Sequence, residues 1–103
     1  MSDFVTLAKL ADLVPGSRKL VHVDGRDIAL FNVEGTIYAV DDTCPHAGAS
    51  LAAGRLQGRT IYCRSHGLRF DLATGQMPGV ADVCIASYPV SIEDGEIRTA
   101  CFR

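Results

Sequence analysis

Turn dipeptides at short intervals are the feature of this sequence that most restricts its fold. Each follows or separates short runs of β-branched, aromatic and aliphatic residues, and an acidic residue followed by Gly favours the tight two-residue turn of a β-hairpin. No segment shows a sustained 3.6-residue apolar repeat. The sequence therefore predicts an all-β protein. The turn pairs are Asp24-Gly25, Glu34-Gly35 and Asp94-Gly95.

The runs between these turns predict short strands. One of them contains Pro89, which cannot donate a backbone hydrogen bond and therefore indicates an edge strand or a bulge. A single helical turn is expected at residues 12–14. The predicted strands cover residues 4–7, 19–23, 27–33, 36–40, 60–62, 68–71, 87–92 and 96–99.

Length and composition fit one folded domain over residues 1–103. Of these residues 48% are hydrophobic and 21% are charged, as in ordinary globular domains. No apolar run approaches the roughly 20 residues of a membrane span, and the first residues lack the basic start of a secretory signal. We therefore expect a soluble, cytoplasmic monomer. Thiols stay reduced in that compartment, so the four cysteines are expected to be metal ligands or buried thiols.

Two cysteines and two histidines are spaced as a metal site. The sequence reads Cys44-Pro45-His46, then sixteen residues, then Cys63-Arg64-Ser65-His66, in loops predicted over residues 42–51 and 63–70. Two thiolates with two imidazoles suit tetrahedral zinc or an iron–sulfur centre. Zinc sites usually use C-x2-C and H-x3–5-H spacing, whereas a Rieske [2Fe–2S] cluster takes Cys ligands on one iron and His ligands on the other. The spacing favours the cluster, with zinc as the alternative.

Charge is distributed unevenly along the chain. Residues 43–70 contain four of the ten basic residues and none of the twelve acidic ones, so this segment is basic and the remainder is acidic. The chain lacks a dense basic stripe with interleaved aromatic residues, so nucleic-acid binding is not expected. The arginines are interpreted either as scattered solvated residues or as a docking surface. They are Arg55, Arg59, Arg64 and Arg69.

Several motifs resemble the Rieske ferredoxins of bacterial aromatic-ring dioxygenase systems. The resemblance covers nearly the whole chain and implies an antiparallel β-sandwich with a small cluster-binding subdomain. It implies one [2Fe–2S] cluster per chain, held by Cys44, His46, Cys63 and His66, and Met77-Pro78-Gly79 resembles the third loop over the cluster. The motifs are Cys44-Pro-His-Ala-Gly-Ala-Ser-Leu, Gly54-x3-Gly58, Cys63-x2-His66-Gly67, Phe70-Asp71-x2-Thr74-Gly75 and Tyr88-Pro89-Val90.

The family role implied is that of an electron carrier and not an enzyme. Such a ferredoxin takes single electrons from a ferredoxin reductase and passes them to a terminal oxygenase. The chain lacks the residues for oxygenase chemistry, because mononuclear iron needs two His and a carboxylate and only His22 remains. The alternative function is the Rieske-like small subunit of an assimilatory nitrite reductase. A structural zinc module is the third candidate.

Departures from related families point to a low reduction potential. High-potential Rieske proteins of respiratory complexes carry a loop disulfide, and Ala49 and Ser65 stand at its positions here. They also carry two hydroxyl groups that donate to cluster sulfur, where this chain has Leu68 and Phe70. In the second ligand loop, Arg64 replaces the usual Pro.

Other conspicuous residues are given ordinary structural roles. His22 is predicted to lie on a strand surface, and Asp41 and Asp42 are interpreted as solvated turn acids, with acceptance of a hydrogen bond from a ligand loop as the alternative. Buried reduced thiols are expected at Cys84 and Cys101. The core is predicted to include Tyr38, Tyr62, Leu51, Leu68 and Phe70, the last three beneath the cluster, with Gly48 and Gly67 close to the ligands.

Overall fold

The structure is a computed structural model, and it describes residues 4–23, 25–43, 50–63, 69–77 and 80–100. Short strands and the turns between them make up most of these residues, with 3₁₀ turns at Leu10–Asp12 and Leu51–Ala53. The all-β prediction is therefore confirmed. The strands are β1 (Phe4–Lys9), β2 (Arg18–Val23), β3 (Arg26–Val33), β4 (Thr36–Asp41), β5 (Arg55–Gln57), β6 (Thr60–Tyr62), β7 (Arg69–Asp71), β8 (Gln76–Met77), β9 (Val80–Cys84), β10 (Ser87–Tyr88), β11 (Ser91–Glu93) and β12 (Glu96–Ala100).

The strands form two larger sheets and two small ones. One larger sheet has the order β1-β12-β11 and the other has the order β10-β4-β3-β2, and all pairings in them are antiparallel. The small sheets are β5-β6-β7 and β8-β9. These two are formed by the segment that carries the Cys/His motif and by the segment that follows it.

Strand β3 separates two apolar cores. Successive side chains of a strand point to opposite faces, and five consecutive residues of β3 are buried. Ile28 and Leu30 belong to a basal core between the two larger sheets, whereas Ala29 and Phe31 belong to an upper core shared with the small sheets. The basal core is Leu7, Leu13, Val21, Ile28, Leu30, Ala39 and Ile97. The upper core is Ala29, Phe31, Val40, Leu51, Ile61, Cys63, Phe70, Leu72 and Ile85.

Two predicted hairpin turns are confirmed by register. Val33 pairs with Thr36, and Glu93 pairs with Glu96, which leaves two residues in each turn. Glu34 and Asp94 have φ of 52° and 53°, and the glycine after each is also at positive φ. Positive φ at both central residues is the type I′ geometry that matches strand twist.

Three sequence predictions differ from the structure. Residues 87–92 are not one strand, because the chain leaves β10 at Pro89 and enters the other larger sheet as β11; a proline has no N–H for the ladder. The helical turn lies at Leu10–Asp12 and not at residues 12–14. Strands β5, β8 and β9 were not predicted, since two to five residues carry little periodicity. No helix in the described ranges is long and apolar enough to cross a membrane.

An arginine of the edge strand β2 joins the two parts of the fold. The Arg18 guanidinium donates to the carbonyl oxygens of Ala52, at 3.2 Å, and of Gly54. Its central carbon lies 5.8 Å from the centroid of the Phe31 ring. Arg18 therefore ties the larger sheet to the 3₁₀ turn that leads into β5.

Candidate metal centre

Cys63 is the predicted ligand that the structure describes. It follows β6 directly and is 4% exposed, within the upper core. Cys44, His46 and His66 lie outside the described residues, as do Gly48, Gly67 and Pro78. The described residues therefore define the base of each ligand loop.

The base of the first loop is held closed by Asp42. Thr43 and Ser50 form an antiparallel bridge across the loop. The Asp42 carboxylate accepts hydrogen bonds from the Ser50 hydroxyl and the Ala52 N–H, both at 2.8 Å, and its carbonyl accepts from Leu51 N–H at 2.6 Å. Asp42 is 4% exposed, so its interpretation as a solvated turn acid is wrong. A buried carboxylate is stabilised here because one of its oxygens accepts two hydrogen bonds.

The base of the second loop is a β-hairpin. Tyr62 of β6 pairs with Arg69 of β7, so the two strands enclose Cys63 and residues 64–68. Beneath this pair, Gly54 lies so close to β6 that a Cβ on it would overlap the Tyr62 carbonyl oxygen. Only glycine permits that approach. The approach places the segment that leaves the first loop against β6, which Cys63 directly follows.

The third loop, predicted at residues 77–79, also begins at a paired base. Met77 of β8 pairs with Val80 of β9. Gly75 has φ of 77°, accepts from Ile85 N–H at 2.7 Å and leaves no room for a Cβ beside the Ile85 carbonyl. Gly75 directly precedes β8 and Ile85 directly follows β9, so their close contact fixes the position of β8 relative to the end of β9.

All three loop bases contribute to one apolar cluster. Leu51 comes from the first base and Cys63 and Phe70 from the second, and each is at most 4% exposed. Met77, from the third base, packs against the same cluster. A buried thiol in the apolar cluster that these three loop bases share suits a metal–sulfur group, whose sulfurs need a dry inner side. The described residues therefore fit the group implied by the motif.

The outer face of β5-β6-β7 carries arginines. The register aligns Arg55 with Tyr62 and Tyr62 with Arg69. The Arg55 guanidinium carbon lies 4.7 Å from the centroid of the Tyr62 ring. At the other end of the sheet Arg59 is paired with Asp71 at 3.3 Å. The basic segment is thus partly neutralised by the acidic residue that directly follows it.

A polar network lies beside the first loop on β10. The Tyr88 hydroxyl donates to the Asp41 carboxylate and is approached by Arg26 at 3.4 Å. Burial raises the pKa of Tyr88 above 10.0, and the hydrogen bond to Asp41 raises it further. Asp41 is therefore also bonded, although it is accessible in part.

The remaining residue predictions have mixed outcomes. His22 lies on the surface of β2 as predicted, paired with Asp27. Tyr38 and Tyr62 are half-buried and not fully in the core. Leu51 and Phe70 are fully buried as predicted. Cys101, Leu68 and the side chain of Cys84 lie outside the described residues. In the described ranges, no three His, Cys, Asp or Glu side chains converge on a common metal position.

Comparison with known proteins identifies the family. Residues 3–89 match the Rieske [2Fe-2S] domain. The chain is 42% identical over 95 residues to the ferredoxin component of the naphthalene 1,2-dioxygenase/salicylate 5-hydroxylase systems of a Ralstonia species. The matched region covers 89% of this chain and 89% of that protein.

Solved structures give the same fold. A chain in the complex of reduced oxygenase and oxidized ferredoxin in carbazole 1,9a-dioxygenase has a TM-score of 0.84 at 30% identity, covering 97% of this chain and 94% of that one. A Mycobacterium tuberculosis protein, proposed to be the small subunit of an NADH-dependent nitrite reductase, has a TM-score of 0.84 at 25% identity, covering 100% and 98%.

The chain belongs to the Rieske [2Fe–2S] family, which confirms the resemblance, the fold and the cofactor. It carries one [2Fe–2S] cluster and is an electron carrier of the ferredoxin type, not itself an enzyme. The alternative of a structural zinc module is excluded by this membership.

Proposed function

We propose that this chain is the ferredoxin component of a ring-hydroxylating dioxygenase system, and that it passes single electrons from a ferredoxin reductase to a terminal oxygenase. Family membership, together with 42% identity to such a component, is the observation that carries the proposal. The working form is a soluble, cytoplasmic monomer in which residues 1–103 act as one Rieske domain.

The cluster ligands are Cys44, His46, Cys63 and His66. Each of the two loops supplies one thiolate and one imidazole, so each loop gives a ligand to each iron. Support comes from the placement of Cys63 in the upper core and from the closed bases of both loops. A Rieske cluster, when bound, would supply one-electron transfer at this place.

The chain's own residues provide the environment of the cluster site. Leu51, Ile61 and Phe70 are fully buried in the upper core and keep water from the inner side of the ligand loops. Asp42 holds the first loop closed through Ser50 and Ala52. These hydrogen bonds and buried contacts restrict the bases of the ligand loops, which favours electron transfer with little rearrangement.

Metal analysis and spectroscopy of histidine variants test the ligand proposal. His46→Ala and His66→Ala should each lose the cluster or change its electron paramagnetic resonance signal after reduction by dithionite, because one iron loses its imidazole. His22→Ala is the matched control, since His22 is exposed on β2 and paired with Asp27. Full iron and sulfide content with an unchanged signal in His66→Ala would refute the assignment.

Isolation of the native assembly tests the partner. The affinity-tagged chain, expressed in its own cells, should reduce the terminal oxygenase that is recovered with it when the recovered reductase and NADH or NADPH are added. A sirohaem-containing subunit bound to the chain instead would favour the nitrite reductase alternative. Electron delivery to an oxygenase that also requires His66 would support the dioxygenase role.

A further inference from the structure

The small sheet β5-β6-β7 places two arginines and a tyrosine in one cross-strand row. Arg55 is paired with Tyr62, and Tyr62 is paired with Arg69. Directly opposed residues of neighbouring strands project to the same face. The next row of the sheet, Leu56 with Ile61 and Phe70, faces the upper core. The arginine row, defined as Arg55, Tyr62 and Arg69, therefore faces solvent.

The arginine row lies at the ligand-loop end of the sheet. Tyr62 immediately precedes the buried Cys63, and Arg69 immediately follows residues 64–68. The opposite end of the same face carries the row of Gln57, Thr60 and Asp71. One face of the sheet is thus basic beside the cluster-binding loops and polar farther away.

The charges of the arginine row are not compensated by the described residues. Arg59, in the turn between β5 and β6, is paired with Asp71 at 3.3 Å. Arg55 and Arg69 are both exposed and have no carboxylate within ion-pair distance in the described part of the chain. No acid occurs anywhere between residues 43 and 70. Two guanidinium groups are therefore available to an outside partner.

Within the arginine row, Arg55 is also preorganised. The Arg55 guanidinium carbon lies 4.7 Å from the centroid of the half-buried Tyr62 ring, a cation–π geometry that restricts the arginine. A guanidinium held in place loses less side-chain entropy when it binds a carboxylate in bidentate fashion. An exposed lysine at the same position would lack this advantage.

We propose that the arginine row is a docking surface for a carboxylate-bearing surface on the protein that exchanges electrons with this chain. This inference rests on the proposed function and adds the side of the molecule and the chemistry of the partner. Charge complementarity carries it: two guanidinium groups that no described carboxylate compensates lie beside the ligand loops, whereas the chain outside residues 43–70 has an excess of acidic residues, which repel an acidic partner. Nucleic acid is the less favoured occupant, because it requires a longer basic surface than two arginines.

Small charged oxidants measure the charge at this end of the molecule. The cluster of the dithionite-reduced holoprotein gives one electron to hexacyanoferrate(III), which becomes hexacyanoferrate(II), or one electron to the cation hexaammineruthenium(III). At low ionic strength, Arg55→Glu and Arg69→Glu should each slow oxidation by the anion, by about threefold to tenfold, and accelerate oxidation by the cation. Lys9→Glu makes the same change of charge at an exposed position of β1, whose buried residue Leu7 belongs to the basal core, and should alter both rates by less than about twofold.

Competition identifies the occupant. Poly-L-glutamate should slow oxidation of the wild-type protein by hexacyanoferrate(III) and have little effect on Arg55→Glu. Equal effects of Arg55→Glu and Lys9→Glu, or stronger competition by duplex DNA than by poly-L-glutamate, would overturn the proposal. So would a dimer at low salt that Arg55→Glu dissociates, because the occupant would then be a second copy. An unchanged cluster spectrum in each variant separates these outcomes from a failure of the ligand assignment.

Discussion

The Ser50 hydroxyl donates a 2.8 Å hydrogen bond to the Asp42 carboxylate and so joins the two ends of the loop that contains Cys44 and His46. The same carboxylate oxygen accepts from Ala52 N–H. Hydrogen bonds to charged groups contribute about 1.5–3 kcal/mol each. Asp42→Ala should therefore lower the free energy of unfolding by about 3 kcal/mol or more and accelerate loss of the cluster.

Bleaching of the visible absorbance in the presence of a chelator, together with thermal unfolding, measures both effects of Asp42→Ala. Asp42→Asn keeps an acceptor oxygen and should recover much of the stability. Asp27→Ala is the control, because Asp27 is exposed and pairs only with the exposed His22 among described side chains. If Asp27→Ala released the cluster as fast as Asp42→Ala, the anchoring role of Asp42 would be wrong.

The reduction potential should lie near the low end of the Rieske range, on the order of −150 mV. Hydroxyl donors to cluster sulfur stabilise the reduced state, and Phe70 offers none although it is fully buried beside Cys63 in the upper core. Phe70→Tyr should raise the potential by about 60 mV if one charge-assisted bond of about 1.4 kcal/mol forms. Protein-film voltammetry at neutral pH measures both proteins.

Tyr62→Phe is the control for this potential, since it removes a hydroxyl from the opposite face of the same sheet. We expect it to leave the potential unchanged. A wild-type value around +300 mV, at the top of the range, would contradict the interpretation of the missing hydroxyl groups.

Alkaline pH should destabilise the fold through Tyr88. Burial and the bond to Asp41 raise the pKa of its hydroxyl in the folded state above the ordinary value of 10.0. The folded state therefore holds this proton more tightly than the unfolded state, so the stabilisation is present below pH 10 and is lost as pH rises through the raised pKa. Thermal unfolding temperatures measured on both sides of pH 10 should fall more steeply in the wild type than in Tyr88→Phe. Parallel curves would show that Tyr88 makes no such contribution.

Arg18 should stabilise the cluster-binding part of the chain. Arg18→Met keeps the apolar stem but loses the hydrogen bonds to the Ala52 and Gly54 carbonyls, at a cost of about 1–2 kcal/mol. For a domain of this size, each 1 kcal/mol lowers the unfolding temperature by about 4–8 °C. Lys19→Met, at the adjacent exposed position, serves as the comparison in differential scanning calorimetry. An equal change in both variants would argue against the connection.

Local sequence determined the hairpins because the information for a tight turn lies in two residues. Glu34-Gly35 and Asp94-Gly95 adopt the positive φ values that the dipeptides predict. The same local logic failed at Pro89, where the proline indicates an interruption but not that the chain then changes sheet. Strands of two or three residues, such as β5 and β8, are defined by their partners, so their own residues do not reveal them.

The sequence by itself determined that an iron–sulfur cluster was favoured over zinc, because the kind and spacing of the Cys and His residues in C-x-H and C-x2-H are properties of short segments. Tertiary structure decided the rest. Asp42 is a buried residue that holds the first loop, because the chain returns and places Ser50 beside it. Arg59 forms an ion pair with Asp71, which lies twelve residues further along the chain. Arg55 and Arg69 lie on the same exposed face of the small sheet because β6 pairs with both of their strands. Hydrogen bonds and ion pairs between residues distant in sequence depend on which strands meet, and that is a property of the folded chain.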